Sequence, residues 1–370
     1  MILVNARFLA QRTTGIQRFA TEITRHLLEV RSDVVLAVPP GPIDAAGLDP
    51  ARILRTGRAR GHAWEQIDLP LFARRRRCLL VNLASTGPVA YRPQISTHHD
   101  ITWVRHPESF GRRFRAVYTV VVPRLIARSE ALLTVSEFSR GEISDHFGVD
   151  PRRFTVIANG VDERFHPSAA PAGPPYLLAV SSPNAHKNFG RMLSAFARFA
   201  ATHPQVELRV VGSQTNSFSR QRYDDSSARV RFLGRVDDDE LASLYSGALA
   251  FVFPSLYEGF GIPPLEAQQC GCPVIAARAA SMPEVLGSSA VYVDPYDEED
   301  LADAMSRVVD DPALRASLVS AGQINVARFS WRASAERVSG VIDAVLAAHD
   351  DRAAGASRRV KAPAARHPDA

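Results

Sequence analysis

The chain has 370 residues, 46% of them hydrophobic and 22% charged, with a formal net charge of +5 at pH 7. This length predicts two domains of ordinary size, and the composition is typical of a soluble globular protein. No run approaches the ~20 apolar residues of a membrane span, and residues 1–4 lack the pattern of a signal peptide. The three cysteines, Cys78, Cys270 and Cys272, have no metal-ligand spacing, so a reducing cytoplasm is the expected location.

The charge is divided unevenly along the chain. Residues 1–167 contain 24 arginines, no lysine and 16 acidic residues, whereas residues 168–370 contain 20 basic and 23 acidic residues. A basic first half indicates an anionic partner for that half. No nucleic-acid-binding pattern is present, so we expect no nucleic acid and favour an anionic membrane surface. The arginines that would contact it are Arg74–Arg77, for which a solvated helix end is the alternative, and Arg112, Arg113, Arg115, Arg124 and Arg128.

Strands and helices alternate through the first half, which predicts a doubly wound parallel sheet in a domain covering residues 1–167. Residues 168–175, rich in Ala and Pro, interrupt this pattern and are predicted to be a linker. The predicted strands are 2–6, 34–38, 52–54, 79–83, 94–98, 131–135 and 154–157, and the predicted helices are 15–30, 64–77, 114–127 and 137–147.

A second alternation of the same kind predicts a second domain over residues 176–330. Residues 331–349 are predicted to form a C-terminal helix that crosses back to the first domain, and residues 350–370 a disordered tail. Two such domains place ligands at the carboxyl edges of their sheets, but this architecture fits several functions. The predicted strands are 176–180, 206–211, 229–233, 249–253, 273–276 and 291–293, and the helices are 189–201, 237–248, one from 263, 298–309, 312–322 and 331–348.

The loop at residues 255–261 carries the strongest functional signal. It lies between an apolar strand and a helix, and its two glycines allow a ligand to approach the backbone N–H groups at the helix N-terminus. Glu258 and Glu266 bracket the loop, and their carboxylates would repel an anion, so we expect them to accept hydrogen bonds from neutral hydroxyls. A diphosphate flanked by sugars offers an anion to the backbone N–H groups and hydroxyls to the two carboxylates. The alternative interpretation is an ordinary glycine turn with two surface glutamates.

This segment, EGFGIPPLE at 258–266 followed by GCPVIAA at 271–277, resembles the E-x7-E signature of retaining glycosyltransferases of family 4. The resemblance implies the α/β GT-B fold, in which two Rossmann-like doubly wound parallel-sheet domains face a central cleft. The first domain would bind the acceptor and the second a nucleotide-diphospho-sugar. Glu258 would contact the donor sugar, the amides of Gly259, Phe260 and Gly261 the sugar and phosphate, and Glu266 the ribose.

The resemblance extends to three further groups of residues. Lys187, one of two lysines in the chain, would neutralise the diphosphate, with His186 as a second candidate, and the alternative is a surface lysine. Ser181 stands where the family often has an arginine, which departs from the pattern. Arg235 and Val236 belong to the stretch beside which the nucleobase would lie.

Two positions in the first half complete the predicted site. Gly15, between the first strand and the first helix, resembles the family's N-terminal glycine loop and would contact phosphate through its amide. The alternative is a plain helix cap, and the resemblance leaves the role of Arg18 open. His99 would touch the donor sugar near the reacting centre, and it directly precedes Asp100 at the end of a strand. His98 is the competing assignment.

Together these residues predict a retaining, metal-independent hexosyltransferase without a cofactor, with His99, Asp100, Lys187 and Glu258 catalytic. GDP-mannose is the expected donor, with rhamnose donors or UDP-glucose as alternatives. The expected acceptor is a glycan or polyprenyl-linked glycan of a bacterial surface polysaccharide. The protein itself is expected to be peripheral on the inner face of the plasma membrane. The alternatives of a different class are a sugar-nucleotide epimerase and a non-catalytic glycan-binding relative.

Overall fold

The computed structural model describes residues 1–45, 47–180, 184–212 and 229–360, and of residues 352–360 only the backbone. The strands form one sheet of seven and one of six, which confirms the predicted pair of parallel sheets. Among the described residues, no helix is both long enough and apolar enough to span a bilayer.

The seven-stranded sheet has the order β3-β2-β1-β4-β5-β6-β7. Strand β1, the third in this order, pairs in parallel with β2 on one side and with the central strand β4 on the other. Both β1 and β4 are buried along their whole length, as expected for parallel strands covered on both faces. The strands are β1 Ile2–Asn5, β2 Val34–Val38, β3 Ile53–Arg55, β4 Leu79–Asn82, β5 Gln94–Thr97, β6 Ala131–Thr134 and β7 Phe154–Val156.

The six-stranded sheet has the order β10-β9-β8-β11-β12-β13, and its strand pairs are all parallel. Helical side chains such as Phe196, Phe199 and Met305 pack on its strands and form a continuous hydrophobic core. The strands are β8 Tyr176–Val180, β9 Glu207–Val211, β10 Val230–Gly234, β11 Ala250–Phe253, β12 Val274–Ala277 and β13 Val291–Val293.

Most helices occur where they were predicted, with ends that differ by a few residues. The helix predicted over 64–77 begins with a π turn over Trp64–Asp68 and continues as an α-helix from Leu69, with Pro70 in its first turn, where the missing N–H is tolerated. The helices are α1 Gly15–Val30, α2 Gly61–Ala63, α3 Leu69–Arg76, α4 Thr102–Arg105, α5 Arg112–Arg128, α6 Glu137–Phe147, α7 Phe189–Thr202, α8 Asp238–Gly247, α9 Ile262–Gln269, α10 Met282–Leu286, α11 Glu298–Asp310, α12 Pro312–Val326 and α13 Trp331–Val360.

The last helix, α13, continues beyond the predicted end at residue 349. Residues 350–360 were expected to be disordered, but they are rich in Ala and Arg, which have high helix propensity and extend a helix that has already formed. The rest of the predicted tail, 361–370, lies outside the described residues.

The chain divides into two compact units. The first contains Met1–Thr97, Arg124–Leu132 and the chain from Ala335 onward, and the second contains His98–Pro123 and Leu133–Ser334. The second unit therefore includes segments after β5 and β6 that were predicted to belong to the first domain. Within the first unit, Arg31 donates hydrogen bonds to Ser339 (2.9 Å) and Asp343 (2.6 Å), which attach α13 to the end of α1.

A buried polar network lies at the carboxyl end of β1 in the first unit. Glu65 Oε1 accepts hydrogen bonds from Asn5 (2.8 Å), Arg7 (3.2 Å) and Thr86 (3.0 Å), and Glu65 Oε2 lies 3.2 Å from His62 Nδ1. Burial raises the pKa of the Glu65 carboxyl, but the hydrogen bond from His62 and the charge of Arg7 outweigh this, so the pKa is lowered. Glu65 is therefore an ionised buried group that fixes the chain after β1.

Candidate functional site

The loop between β11 and α9 is held in one conformation by its neighbours in the second unit. Gly261 precedes α9 with φ +90°, a conformation that L side chains rarely adopt, so the backbone requires glycine here. A Cβ would also lie 2.4 Å from Met282 Cε, so the end of that side chain would have to move. Ser281 Oγ donates to the carbonyls of Glu258 and Phe260 at 3.0 Å each. The loop thus presents a fixed set of backbone groups at the start of a helix.

Gly259 lies directly against the segment that follows β5. A Cβ at Gly259 would lie 2.7 Å from the carbonyl oxygen of His99 and 2.9 Å from Asp100 Cβ. The hydroxyls of Ser136 and Ser139 both donate to the Gly259 carbonyl, at 2.6 and 3.1 Å. The structure therefore brings the predicted His99–Asp100 pair and the glycine loop together.

Lys187 and Glu258 form an ion pair, with Lys187 Nζ 2.6 Å from Glu258 Oε1. Their side chains are only 22% and 14% exposed, so the pair is partly shielded from solvent. The backbone N–H of Leu256 donates to the carbonyl of His186 at 2.7 Å and joins the two loops that carry the pair. The two residues predicted to bind diphosphate and sugar therefore meet at one place. Ser181, at the family's arginine position, lies outside the described residues.

His186 is buried beside this pair. Its Nδ1 lies 2.9 Å from Ser109 Oγ, and its ring is parallel to that of Phe110 with centroids 6.4 Å apart. Burial, together with the charge of Lys187, lowers the pKa of His186 to about 4. At neutral pH the imidazole is uncharged, so the suggestion that His186 adds positive charge to a phosphate site is not supported.

The two adjacent histidines after β5 differ in their surroundings. The backbone N–H of His98 donates to the carbonyl of Leu133, and burial followed by the charge of His99 lowers the pKa of His98 to about 3. His98 is therefore an uncharged core residue. The backbone carbonyl of His99 lies against Gly259, and Asp100 Oδ1 accepts from the Thr102 amide at 2.8 Å, which orients that carboxylate.

Glu266 is buried on α9, with 5% of the residue exposed. The backbone N–H of Cys270 donates to the Glu266 carbonyl at 3.1 Å, and burial, followed by the charge of Glu266, raises the pKa of the Cys270 thiol to about 12. Gln268 lies two residues after Glu266 on the same helix. Its side-chain amide donates to the Ser289 carbonyl at 3.0 Å and to the Ser289 hydroxyl at 2.7 Å, and it accepts from the Asn325 side chain at 2.9 Å. These bonds fix the helix that carries Glu266.

The other predicted residues lie at the edges of the sheets. Gly15 is the first residue of α1 in the first unit, and a Cβ there would have no atom within 4 Å. Arg235 is exposed and Val236 partly buried, directly after β10 in the second unit. Among the described residues, no group of three or more His, Cys, Asp or Glu is arranged to hold a metal ion.

Several supporting residues were not assigned to the site from the sequence. The Glu284 carboxylate accepts from the amides of Glu137 (2.8 Å) and Phe138 (2.9 Å) and so caps α6. Ser136 was missed, although its position before a predicted helix is the usual one for a capping hydroxyl. These contacts join residues more than a hundred positions apart, which no local pattern reveals.

Comparison with known proteins shows the family of this chain. Residues 161–324 match the family model Glycosyl transferases group 1, and residues 13–165 match the model Glycosyltransferase Family 4. The O-antigen chain mannosyltransferase B of Escherichia coli is 28% identical over 66% of this chain and 70% of its own length. The MMP alpha-(1->4)-mannosyltransferase of Mycolicibacterium hassiacum is 30% identical over 73% of this chain and 70% of its own length.

The fold also matches a solved structure. Anabaena Alr3699/HepE in complex with UDP-glucose is 20% identical, with a TM-score of 0.70, and the match covers 93% of this chain and 99% of that one. The two parallel α/β sheets are those of the GT-B fold. The chain therefore belongs to the group 1 glycosyltransferases of family 4 and is a glycosyltransferase.

Proposed function

We propose that this glycosyltransferase moves mannose from GDP-mannose to a glycan acceptor, with retention of the anomeric configuration. The observation that carries the proposal is the Lys187–Glu258 pair on the loop before α9. An ammonium group next to a carboxylate is complementary to a donor in which an anionic diphosphate is joined directly to a sugar with neutral hydroxyls. Lys187 binds the diphosphate, and Glu258 turns to the sugar hydroxyls, for which charge-assisted hydrogen bonds of ~1.5–3 kcal/mol each are available.

The remaining residues fit the other parts of the donor. The amides of Gly259, Phe260 and Gly261 contact the sugar and phosphate, and Glu266 accepts from the ribose hydroxyls. Arg235 and Val236 lie by the nucleobase, and the Gly15 amide in the first unit serves the phosphate. These roles follow from the family pattern and from the positions of the residues after the strands that carry them.

The proposed reaction needs no protein nucleophile. The bond from the sugar C1 to the diphosphate oxygen breaks through an oxocarbenium-like state, and the acceptor oxygen bonds to C1 on the same face. The acceptor proton passes to the departing diphosphate. Lys187 stabilises the negative charge that develops on this leaving group, and His99 and Asp100 border the reacting carbon. Because Lys187 and helix N-termini stabilise the negative charge of the diphosphate, we propose that no metal is required.

The choice of donor is supported by the relatives. Both curated relatives described above are mannosyltransferases, which favours mannose. UDP-glucose is the second candidate, because it is the ligand bound to the HepE structure. The E. coli relative is named for O-antigen chains, so a glycan of a bacterial surface polysaccharide is the proposed acceptor.

A panel of nucleotide sugars tests this function. The chain is incubated with GDP-mannose, UDP-glucose, GDP-rhamnose or dTDP-rhamnose, with EDTA and with a mannose oligosaccharide, and nucleotide release is measured. We expect GDP-mannose to give nucleotide release that is unchanged by EDTA, and an α-linked product by NMR. An altered nucleotide sugar without acceptor would indicate an epimerase, and no product with any donor would indicate a binding protein.

We also propose that the first unit contacts an anionic membrane. Ile67 and Leu71 are 57% and 47% exposed, lie four residues apart, and are followed by exposed Arg74–Arg77. An exposed apolar pair beside a basic cluster is typical of an interfacial helix. Each arginine near an anionic membrane surface contributes ~1 kcal/mol to binding. The arginines at the end of α3 would therefore add to the binding free energy of the apolar pair.

Flotation with liposomes tests the membrane proposal. We expect binding to vesicles that contain phosphatidylglycerol, and weakening by about fivefold for each of Arg75→Ala and Arg76→Ala. Arg152→Ala is the matched control, because Arg152 is an exposed arginine, 88% exposed, in the second unit. Equal binding by all these variants, or equal binding to neutral vesicles, would contradict the proposal.

A further inference from the structure

A row of aromatic rings runs from the Lys187 side of the site onto α5 and α4, all within the second unit. Its members, which we call the aromatic row, are His186, Phe110, Phe114, Tyr118 and Trp103. Consecutive ring centroids are 6.4, 5.0, 3.9 and 6.0 Å apart, and the first three pairs are stacked. Phe114, in the middle of the row, is 37% exposed. The stacked rings cover part of one another's faces, so the row offers a ligand the ring edges and the exposed part of Phe114.

The far end of the aromatic row opens into a cavity of about 350 Å³. Trp103 and Phe147 give this cavity apolar walls, and Arg115, Thr119 and His146 give it hydrogen-bonding groups. Its volume lies within the ~300–1,000 Å³ usual for small-molecule sites. The cavity is mixed in character, with two rings and three polar side chains facing the same space.

We propose that the cavity and the aromatic row bind the oligosaccharide part of the acceptor. A sugar ring presents C–H groups on its faces and hydroxyls around its edge, so it needs both aromatic surface and hydrogen-bonding groups. A polyprenyl chain offers no hydrogen-bonding group to Arg115 or His146, and burying it against them would cost the hydration of these two side chains. The lining therefore favours a glycan over a lipid tail.

The position of the cavity is consistent with this role. Trp103 follows Asp100 by three residues, less than one helical turn, and the Thr102 amide is bonded to the Asp100 carboxylate. Asp100 in turn borders Gly259 of the donor loop. A glycan whose end reaches the reacting centre at Asp100 can extend its earlier sugars along the row to the cavity. This inference rests on the proposed function, because it names the acceptor site of the same reaction.

Tryptophan fluorescence provides a test that does not depend on transfer. Trp64 and Trp331 are buried, with 0% and 4% exposed, whereas Trp103 lines the cavity. Titration of the full chain with mannotriose is expected to change the fluorescence saturably, and Trp103→Phe to remove the change. Arg115→Ala is expected to weaken mannotriose binding about tenfold, whereas Arg128→Ala, an exposed arginine at the other end of α5, leaves it unchanged.

The outcomes separate this inference from the proposed function. The acceptor KM in the transfer assay is expected to rise about tenfold for Arg115→Ala, with the donor KM unchanged. Transfer with an unaltered acceptor KM in Arg115→Ala and Trp103→Ala would overturn the acceptor site and leave the function intact. Mannotriose binding at the cavity without any sugar transfer would support the site and contradict the function. Displacement of mannotriose by vesicles alone would show a lipid site instead.

Discussion

Replacing Lys187 by alanine is expected to lower the rate of sugar transfer by about 10²–10³-fold while the protein remains folded. The ammonium group is placed to meet charge that grows on the leaving diphosphate, and the alanine variant leaves Glu258 without its partner 2.6 Å away. The measurement is kcat with the preferred nucleotide sugar, together with circular dichroism to confirm the fold. Near-normal transfer by a folded variant would contradict the assignment of Lys187 to the diphosphate.

Further variants show whether Lys187 and Glu258 act together. Lys187→Arg keeps the charge but changes the shape of the donor group, so we expect it to restore only part of the rate. Glu258→Gln keeps the hydrogen-bonding shape and removes the charge. Because the pair is in direct contact, the effects of Lys187→Ala and Glu258→Ala are expected to be non-additive in the double variant. Additive effects would show that the ion pair is unrelated to catalysis.

Gly259→Ala is expected to lower kcat by about 10²-fold, because the added methyl group cannot fit against the backbone of the His99–Asp100 segment. The Cβ would lie 2.7 Å from the His99 carbonyl oxygen, so the loop or the segment has to move. Overpacking of this kind also costs about 1–3 kcal/mol of stability. The measurements are kcat and the free energy of unfolding in denaturant.

Gly141→Ala is the matched control for this substitution. Gly141 lies inside α6, in the same unit, and a Cβ there would have no atom within 4 Å. We expect unchanged activity and a gain of up to about 1 kcal/mol in stability, since alanine is the better helix former. An equal loss of activity in both variants would show that glycine substitutions in this unit act through general stability rather than through the Gly259 contact.

Much of the fold was predictable because parallel sheets have strong local signals. The buried strands β1 and β8 appear as apolar runs, and α1 has its apolar residues at helical spacing, so all three were located within one residue. The helices α4 and α10 were missed because they have four and five residues, too few to show a period. The end of α13 was misplaced because composition alone could not separate a solvated helix from a tail.

The candidate site was predictable as a list of residues but not as an arrangement. The E-x7-E spacing indicated Glu258 and Glu266, yet nothing near Glu258 in the chain indicates that Lys187, 71 positions away, pairs with it. Burial also could not be inferred from residue type, so His186 was expected to be a source of charge although it is uncharged in its buried position. Contacts between distant segments decide these points, and they require the folded structure.

The most direct test of the account is whether this site recognises a diphosphate through Lys187. Calorimetric titrations of GDP and GMP, with UDP and UMP in parallel, compare the wild-type chain with Lys187→Ala. We expect one nucleoside diphosphate to bind the wild type at least about tenfold more tightly than its monophosphate, and this preference to disappear in the variant. Equal binding of diphosphate and monophosphate by the wild type, or a preference that survives in Lys187→Ala, would contradict the central claim.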